Sequence, residues 1–420
     1  MRMPDDHVIS EAGSLLIPIL FVIGMYGPSS TDGVFSQTTW EIYFLILISS
    51  VLFMLARKTG LGSPWRCVNS IGLVTVIILG TILSPFQEYR WGGLLAYLAL
   101  ALLFAMNCRN VSAQGRLNVM LTLANVVNII LGIAVVLDLG PVRQVFVDYY
   151  SAFYPELVEV MTSAGKPVLT FGTHSLAAFF FYLLFWMNFE SYKAQRSYGR
   201  LLAALCYIVL GVFLWSFSAF ALMGLAVLYM LAYAVRRHSG SVLVGLGAIA
   251  ILGIVAVYRI DATSPVPGLA ATTVSELVSS PTNGFFGRFS DSGTLHSTVQ
   301  YMADRPFQPV GVGYRSDLFF GDNGPVEYYL RGSIGLVLAM YGGLFVFLRK
   351  NLVSRTDAYH AFALIVIFEC GLTALCNIRV IYCLPVIVVF FNDLRRRGAM
   401  TGPRLGALDV GARSRRESTG

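Results

Sequence analysis

The fold class this sequence predicts is all-α: a polytopic membrane protein of about twelve transmembrane helices with one large outer loop. Three observations predict it. The 420 residues are 56% hydrophobic and 13% charged, with a mean hydropathy of +0.68, and so little charge cannot cover a soluble domain. Apolar runs recur along most of the chain at roughly 15 to 23 residues, close to the ~20 that cross a hydrocarbon core as a helix. Lysine and arginine gather in alternate connections, the asymmetry that orients such proteins. Lipid leaves open backbone groups unsatisfied, so repeated long runs imply a helical bundle.

The expected spans are 13–27, 40–56, 68–84, 92–106, 117–137, 173–189, 201–215, 219–235, 241–259, 326–348, 357–375 and 378–393. The first is short and contains Pro18. The sequence before it, MRMPDDHVISE, is acidic and lacks the basic n-region of a cleavable signal peptide. The seventh and eighth are joined only by Ser216-Phe217-Ser218, which predicts a tight hairpin. Two insertions face the other way from the basic connections. One, 138–172, has helical spacing of apolar residues in its middle, as in a helix lying on the membrane interface. The other, 260–325, opens on the turn-rich DATSPVPG and continues into an amphipathic run from Gly287 to Arg305, ending at Pro306. The organisation is therefore 1–259, nine spans including the outer loop 138–172; 260–325, the large outer loop; 326–393, three more spans; and 394–420, a small-residue, basic tail without a fold.

Placing both termini in the cytoplasm puts 21 of the 30 basic residues there, among them Arg57, Arg109, Arg116, Lys193, Arg200, Arg236, Arg349, Arg355 and the seven arginines after residue 394. The net charge of +7 is then mostly a topology signal and does not indicate nucleic-acid binding. The six cysteines (Cys67, Cys108, Cys206, Cys370, Cys376, Cys383) fall in spans or cytoplasmic turns. They predict neither an outer disulfide framework nor a zinc site.

Nine basic residues remain on the outer side or within the membrane: Arg90, Arg143, Lys166, Arg259, Arg288, Arg305, Arg315, Arg331 and Arg379. Five of them (Arg259, Arg288, Arg305, Arg315, Arg331) lie in or beside 260–325. Cations on this face point to an anionic ligand, with the diphosphate of a lipid carrier as the favoured case. Arginine suits that task because its planar fork pairs two phosphate oxygens and stays protonated. The bland alternatives stand beside it. Asp291, Asp304, Asp317 and Asp322 are near enough in sequence to form ordinary salt bridges with Arg288, Arg305 and Arg315. Arg331 and Arg379 sit at outer ends of spans, where snorkelling competes with function. For a general base, Glu327 and His296 compete; Glu327 is equally an i,i+4 partner of Arg331, and His296 a solvated loop histidine. His174, next to Thr173 at the start of a span, is either a binding residue or part of a capped helix start. The Gly311-Val312-Gly313 turn is no nucleotide signature.

The segment Phe285–Gly343 runs FFGRFSDSGTLHSTVQYMADRPFQPVGVGYRSDLFFGDNGPVEYYLRGSIGLVLAMYGG. Its order of amphipathic helix, Arg-Pro, Gly-Val-Gly-Tyr turn, polar turn and Arg-Gly-rich span resembles the bacterial O-antigen polymerase and ligase superfamily, the Wzy-like proteins. Lys166–Ala178 (KPVLTFGTHSLAA) and Trp215–Phe220 (WSFSAF) are similar to two further span entries of that group, and the resemblance covers about 165–345. Ala219 stands where many relatives carry arginine, and the His-Asn pair of the ligase branch is missing from Asp322–Tyr329, which favours polymerase. The resemblance implies an inner-membrane glycosyltransferase joining undecaprenyl-diphosphate-linked repeat units at the outer, periplasmic face. It implies lipid-linked glycan donor and acceptor and membrane lipid as partners, with chain-length regulator and export proteins as further candidates. In that reaction Arg288, Arg305, Arg315, Arg331, Arg379 and His174 would bind substrate, Glu327 or His296 would act as base, and inversion without metal or cofactor is expected. Two alternatives remain: a related ligase, and a transporter. Against the transporter, two six-span halves would place the longest connection on the cytoplasmic side in mid-chain, whereas here the longest loop faces outward between spans nine and ten, and charges in the bundle interior are few.

Overall fold

The structure is a computed structural model that describes residues 5–27, 45–46, 49, 64–83, 91–113, 115–150, 165–248, 296–305, 310–313, 318 and 323–401. Among these residues every regular element is helical. In chain order they are α1 (Asp5–Tyr26), α2 (Pro64–Leu83), α3 (Trp91–Ala105), α4 (Arg116–Val136), α5 (Gly140–Tyr150), a 3₁₀ turn (Leu169–Phe171), α6 (His174–Gln195), α7 (Tyr198–Val212), α8 (Phe217–Arg237), α9 (His296–Ala303), α10 (Gly324–Asn351), α11 (Arg355–Glu369) and α12 (Ile378–Thr401). A further helical stretch covers 240–248. Ten of the twelve expected spans coincide with a helix. Of the second, 40–56, only 45, 46 and 49 are described, and the ninth, 241–259, lies beyond 248 outside the described residues.

Three helices among the described residues combine the length and apolar composition needed to cross a membrane: Arg116–Val136, Ser218–Arg237 and Gly324–Asn351. α4 shows why this is a membrane protein. Its outer stripe is Val119, Leu123, Val126, Ile130 and Ile133, all exposed, while Asn125 and Asn128 face the bundle. A helix at a water-facing surface has the reverse arrangement. Asn125 and Asn188 of α6 exchange two hydrogen bonds, at 2.8 and 2.9 Å, the kind of interhelical amide pair that holds helices together where lipid tails give no hydrophobic drive.

α6 is the central pillar. From Leu176 to Tyr192 every residue is buried, Asn188, Glu190 and Ser191 among them, so the helix is enclosed on all sides. It packs on α7, α8 and α12; α1 lies along α12, and α2 lies against α3 and α10. α7 and α8 form the expected hairpin, with the Ser216 side chain accepting the Ala219 N–H at 3.3 Å as the cap of α8. α1 begins well before the expected 13–27 and retains Pro18 inside it.

One end of the bundle is stapled by asparagines. Asn351 accepts from the Cys108 N–H and donates to the Met106 carbonyl, and Asn392 accepts from the Val353 N–H and donates to the Asn351 carbonyl. Beside them Arg395 bridges Asp357 (2.6 Å) and the fully buried Glu190 (2.9 Å), and Glu190 also receives Lys193 and the Tyr229 hydroxyl. The Arg395 guanidinium is held above the usual arginine range, chiefly by its hydrogen bonds to Asp357. This end carries the basic residues of α4, α6, α8 and α10.

Candidate functional site at the arginine-bearing end

The opposite end holds Arg305, Glu327, Arg331 and Arg379. Its central element is α10, which the sequence predicts as one span, 326–348, and which is two limbs. Asn323 caps the first limb by accepting the Val326 N–H at 3.1 Å, with Pro325 in the first turn, a position where the missing proline N–H costs nothing. The helix then breaks at Gly332 (φ −148°, ψ 22°) and Ser333 (φ 58°, ψ −163°). A serine at positive φ is strained and persists only where its surroundings hold it.

The surroundings are the 311–313 turn and α2. A break in a helix frees backbone carbonyls, and here the turn takes them up: Val312 N–H donates to the Leu330 carbonyl at 2.8 Å, and Gly313 N–H to the Arg331 carbonyl at 2.9 Å. The approach is possible only without side chains. A Cβ on Gly311 would run into the Arg331 backbone, one on Gly313 (φ 56°) into Thr81, and one on Gly80 against the Arg331 carbonyl. The Gly-Val-Gly turn is thus a backbone-packing device, consistent with its reading as no nucleotide signature.

Arg331 locks this arrangement. Its Nε donates to Glu327 at 2.8 Å, Nη1 to the Gly313 carbonyl at 3.0 Å and Nη2 to the Leu318 carbonyl at 2.7 Å, and the side chain is only 1% exposed. The i,i+4 alternative for Glu327 is therefore formed. Arg379 is buried likewise: it donates to the Met25 carbonyl (3.1 Å), to Thr170 Oγ1 (3.3 Å) and to the Gly27 carbonyl, over the Phe171 ring at 5.4 Å. Both arginines tie chain segments together, α1 to the 3₁₀ turn in one case and the 311–313 turn to the broken helix in the other.

Arg305 behaves differently. It is exposed just past α9, its guanidinium 4.3 Å from the Tyr301 ring centroid. His296, half-buried, begins the same helix. α9 occupies the end of the expected amphipathic run 287–305, whose earlier part lies outside the described residues, as do Arg259, Arg288 and Arg315. His174 is partly exposed at the first turn of α6, where Thr173 accepts the Leu176 N–H at 3.3 Å, so its capped-helix alternative is also formed. Lys166, in the connection leading to the 3₁₀ turn, is half-buried, and desolvation holds its ammonium below the ordinary lysine value.

Sequence reasoning passed over the buried acid of this end, Glu369, which closes α11 fully buried. The signal was available: an ionisable residue within an expected span, 357–375, is a functional candidate by default. The same holds for the buried Asp357 of the cluster at the other end.

Chemically, this part of the chain offers an exposed arginine and an imidazole on the short helix α9, and a broken helix held by an internal ion pair. Scanned against protein-family models the chain matches none, and no curated protein matches it.

Proposed function

We propose that the chain is a polysaccharide polymerase, a multi-pass glycosyltransferase of the bacterial inner membrane that joins undecaprenyl-diphosphate-linked repeat units at the outer face. One observation carries the reading. Gly311-Val312-Gly313 and Arg331-Gly332, the two pieces of the pattern that resembles the O-antigen polymerase and ligase superfamily, meet backbone to backbone at the arginine-bearing end. Non-helical backbone at membrane depth is tolerated where it is buried in protein or lines a cavity, so a broken span beside polar loops supports a site there. On this reading the chain makes about twelve crossings, with both termini cytoplasmic and 260–325 on the outer face.

The reaction is attack of a glycan hydroxyl on the anomeric carbon of a second lipid-linked glycan, with the lipid diphosphate leaving and the configuration inverting. It needs donors for the departing charge and a base for the attacking hydroxyl. Arg305, exposed and free to turn its fork outward, takes the first role together with Arg288 and Arg315. Glu327 is committed to the Arg331 guanidinium, which leaves His296 for the role of base. Arg331 and Arg379 contribute by holding the mouth.

The test is glycan length in a deletion strain of the source bacterium, with lipid-carrier and surface fractions separated. Loss of long chains with single repeat units remaining is the expected result. Long lipid-linked chains left untransferred would make the protein the ligase. A transporter is the second reading, favoured by the same broken helix, since discontinuous spans line the binding sites of many transporters; unchanged chain length would select it.

A further inference from the structure

Glu369 sits in an unusual place. Its Oε1 accepts the Tyr328 hydroxyl at 2.9 Å and the Leu375 N–H, and its Oε2 accepts the Tyr341 hydroxyl at 3.1 Å. Tyr328 belongs to the limb of α10 before the break and Tyr341 to the limb after it. In an unbroken helix their Cα atoms would lie about 20 Å apart. Instead the two rings meet edge to face with centroids 5.9 Å apart. The helix is therefore sharply bent at Gly332–Ser333, and the carboxylate occupies the crook, accepting from one hydroxyl on each limb. Tyr97 of α3 closes the edge of Tyr328 at 6.2 Å. The start of the first limb is held against the same group, because a Cβ on Gly324 would collide with Glu369 Oε2.

Among the described residues no lysine or arginine pairs with Glu369, so tyrosine hydroxyls and backbone N–H groups supply its compensation. Apolar residues of similar volume stabilise a core at least as well as a buried charge does, so packing alone does not account for a carboxylate here. What a carboxylate offers is two acceptor oxygens at a fixed spacing, one for each limb.

We propose that Glu369 is the positioning residue of this end. By bridging Tyr328 and Tyr341 it sets the angle between the limbs of α10, and so the pose in which Glu327 and Arg331 hold the 311–313 turn. The consequence for catalysis rests on the polymerase reading, whereas the geometric consequence does not.

The experiment is amide hydrogen exchange on the full chain in lipid nanodiscs, paired with glycan length in cells. Glu369→Leu removes both acceptor oxygens at similar volume, and is expected to raise exchange about tenfold in peptides covering 311–313 and 328–336. The asparagine-stapled end, at 106–113 and 351–353, is expected to stay unchanged. Tyr328→Phe and Tyr341→Phe each remove one oxygen, leave the fold intact, and are expected to give smaller increases that add nothing in the Glu369→Leu background. Gly324→Ala is expected to reproduce the pattern by displacing the carboxylate, and to have no further effect in Glu369→Ala, where its methyl has room.

Unchanged exchange at 311–313 in Glu369→Leu, or tyrosine effects that add in full, would overturn the inference. Should Glu369→Leu not fold, the single tyrosine variants and Gly324→Ala carry the same test. Faster exchange with normal glycan length would support the positioning role and count against the polymerase reading; shortened glycans with unchanged exchange would do the reverse.

Discussion

Arg305 and Arg331 are close in sequence and alike in charge, yet the structure gives them different work. Arg331 is buried and committed to Glu327 and two carbonyls, whereas Arg305 is exposed over Tyr301. Two substitutions separate the roles. Arg331→Lys keeps a charge but cannot reach three acceptors at once. It is expected to lower the melting midpoint in detergent, by about 2 kcal/mol in stability terms, and to shorten glycans. Arg305→Ala removes an exposed group, so the melting curve should stay within about 0.5 kcal/mol of wild type while glycan length falls. A normal polymer distribution in Arg305→Ala would remove it from the diphosphate site. At this scale the sequence was only half legible. The spacing of Glu327 and Arg331 announced a possible pair, because i and i+4 face each other on any helix. That Arg331 would also bind carbonyls at 313 and 318 depends on a helix break that spacing does not describe. Glu369 stood out only as an ionisable residue within a span; its partners lie 28 and 41 positions away, and spacing names neither.

At the scale of elements, apolar run length predicted helices well, since lipid and core select the same long apolar segments. It could not divide α10, because hydropathy is continuous across 326–348. A Gly-Ser pair is nevertheless a recognised cause of kinks, and Gly332-Ser333 stood in the sequence as that signal. The glycines around the break are not equivalent. Gly311 and Gly313 lie against backbone, and Gly313 has φ 56°, while Gly72 and Gly342 have nothing within 4 Å of a built Cβ. Gly313→Ala is therefore expected to cost about 2–4 kcal/mol and Gly72→Ala to be neutral or stabilising by up to about 1 kcal/mol, both read from thermal melts of the purified protein. Equal melting points for the two would show that the close seating of the turn on α10 is not formed in the folded protein.

For the whole molecule, the inside-out polarity of α4 and the alternation of basic connections argue for the same bundle from independent directions. One rests on burial, the other on charge. The same asymmetry predicts cytoplasmic termini and an outer face at 260–325. In a cysteine-free background, a cysteine placed at Arg305 is expected to react with a membrane-impermeant maleimide in intact cells, and one at Arg397 only after permeabilisation; the opposite labelling pattern would invert the topology. The composition made the class of the molecule readable, but the contrast between its ends was not, because it arises from pairings across helices. One end is stapled by amides and bridged by Arg395, and the other is built on a strained break. The two ends are thus held by different means. At one, several amides and a bridging arginine share the load among separate helices. At the other, the shape hangs on one carboxylate that bridges the two limbs of a single helix and one guanidinium that ties that helix to the 311–313 turn, so a single lost hydrogen bond is felt there more than at its counterpart.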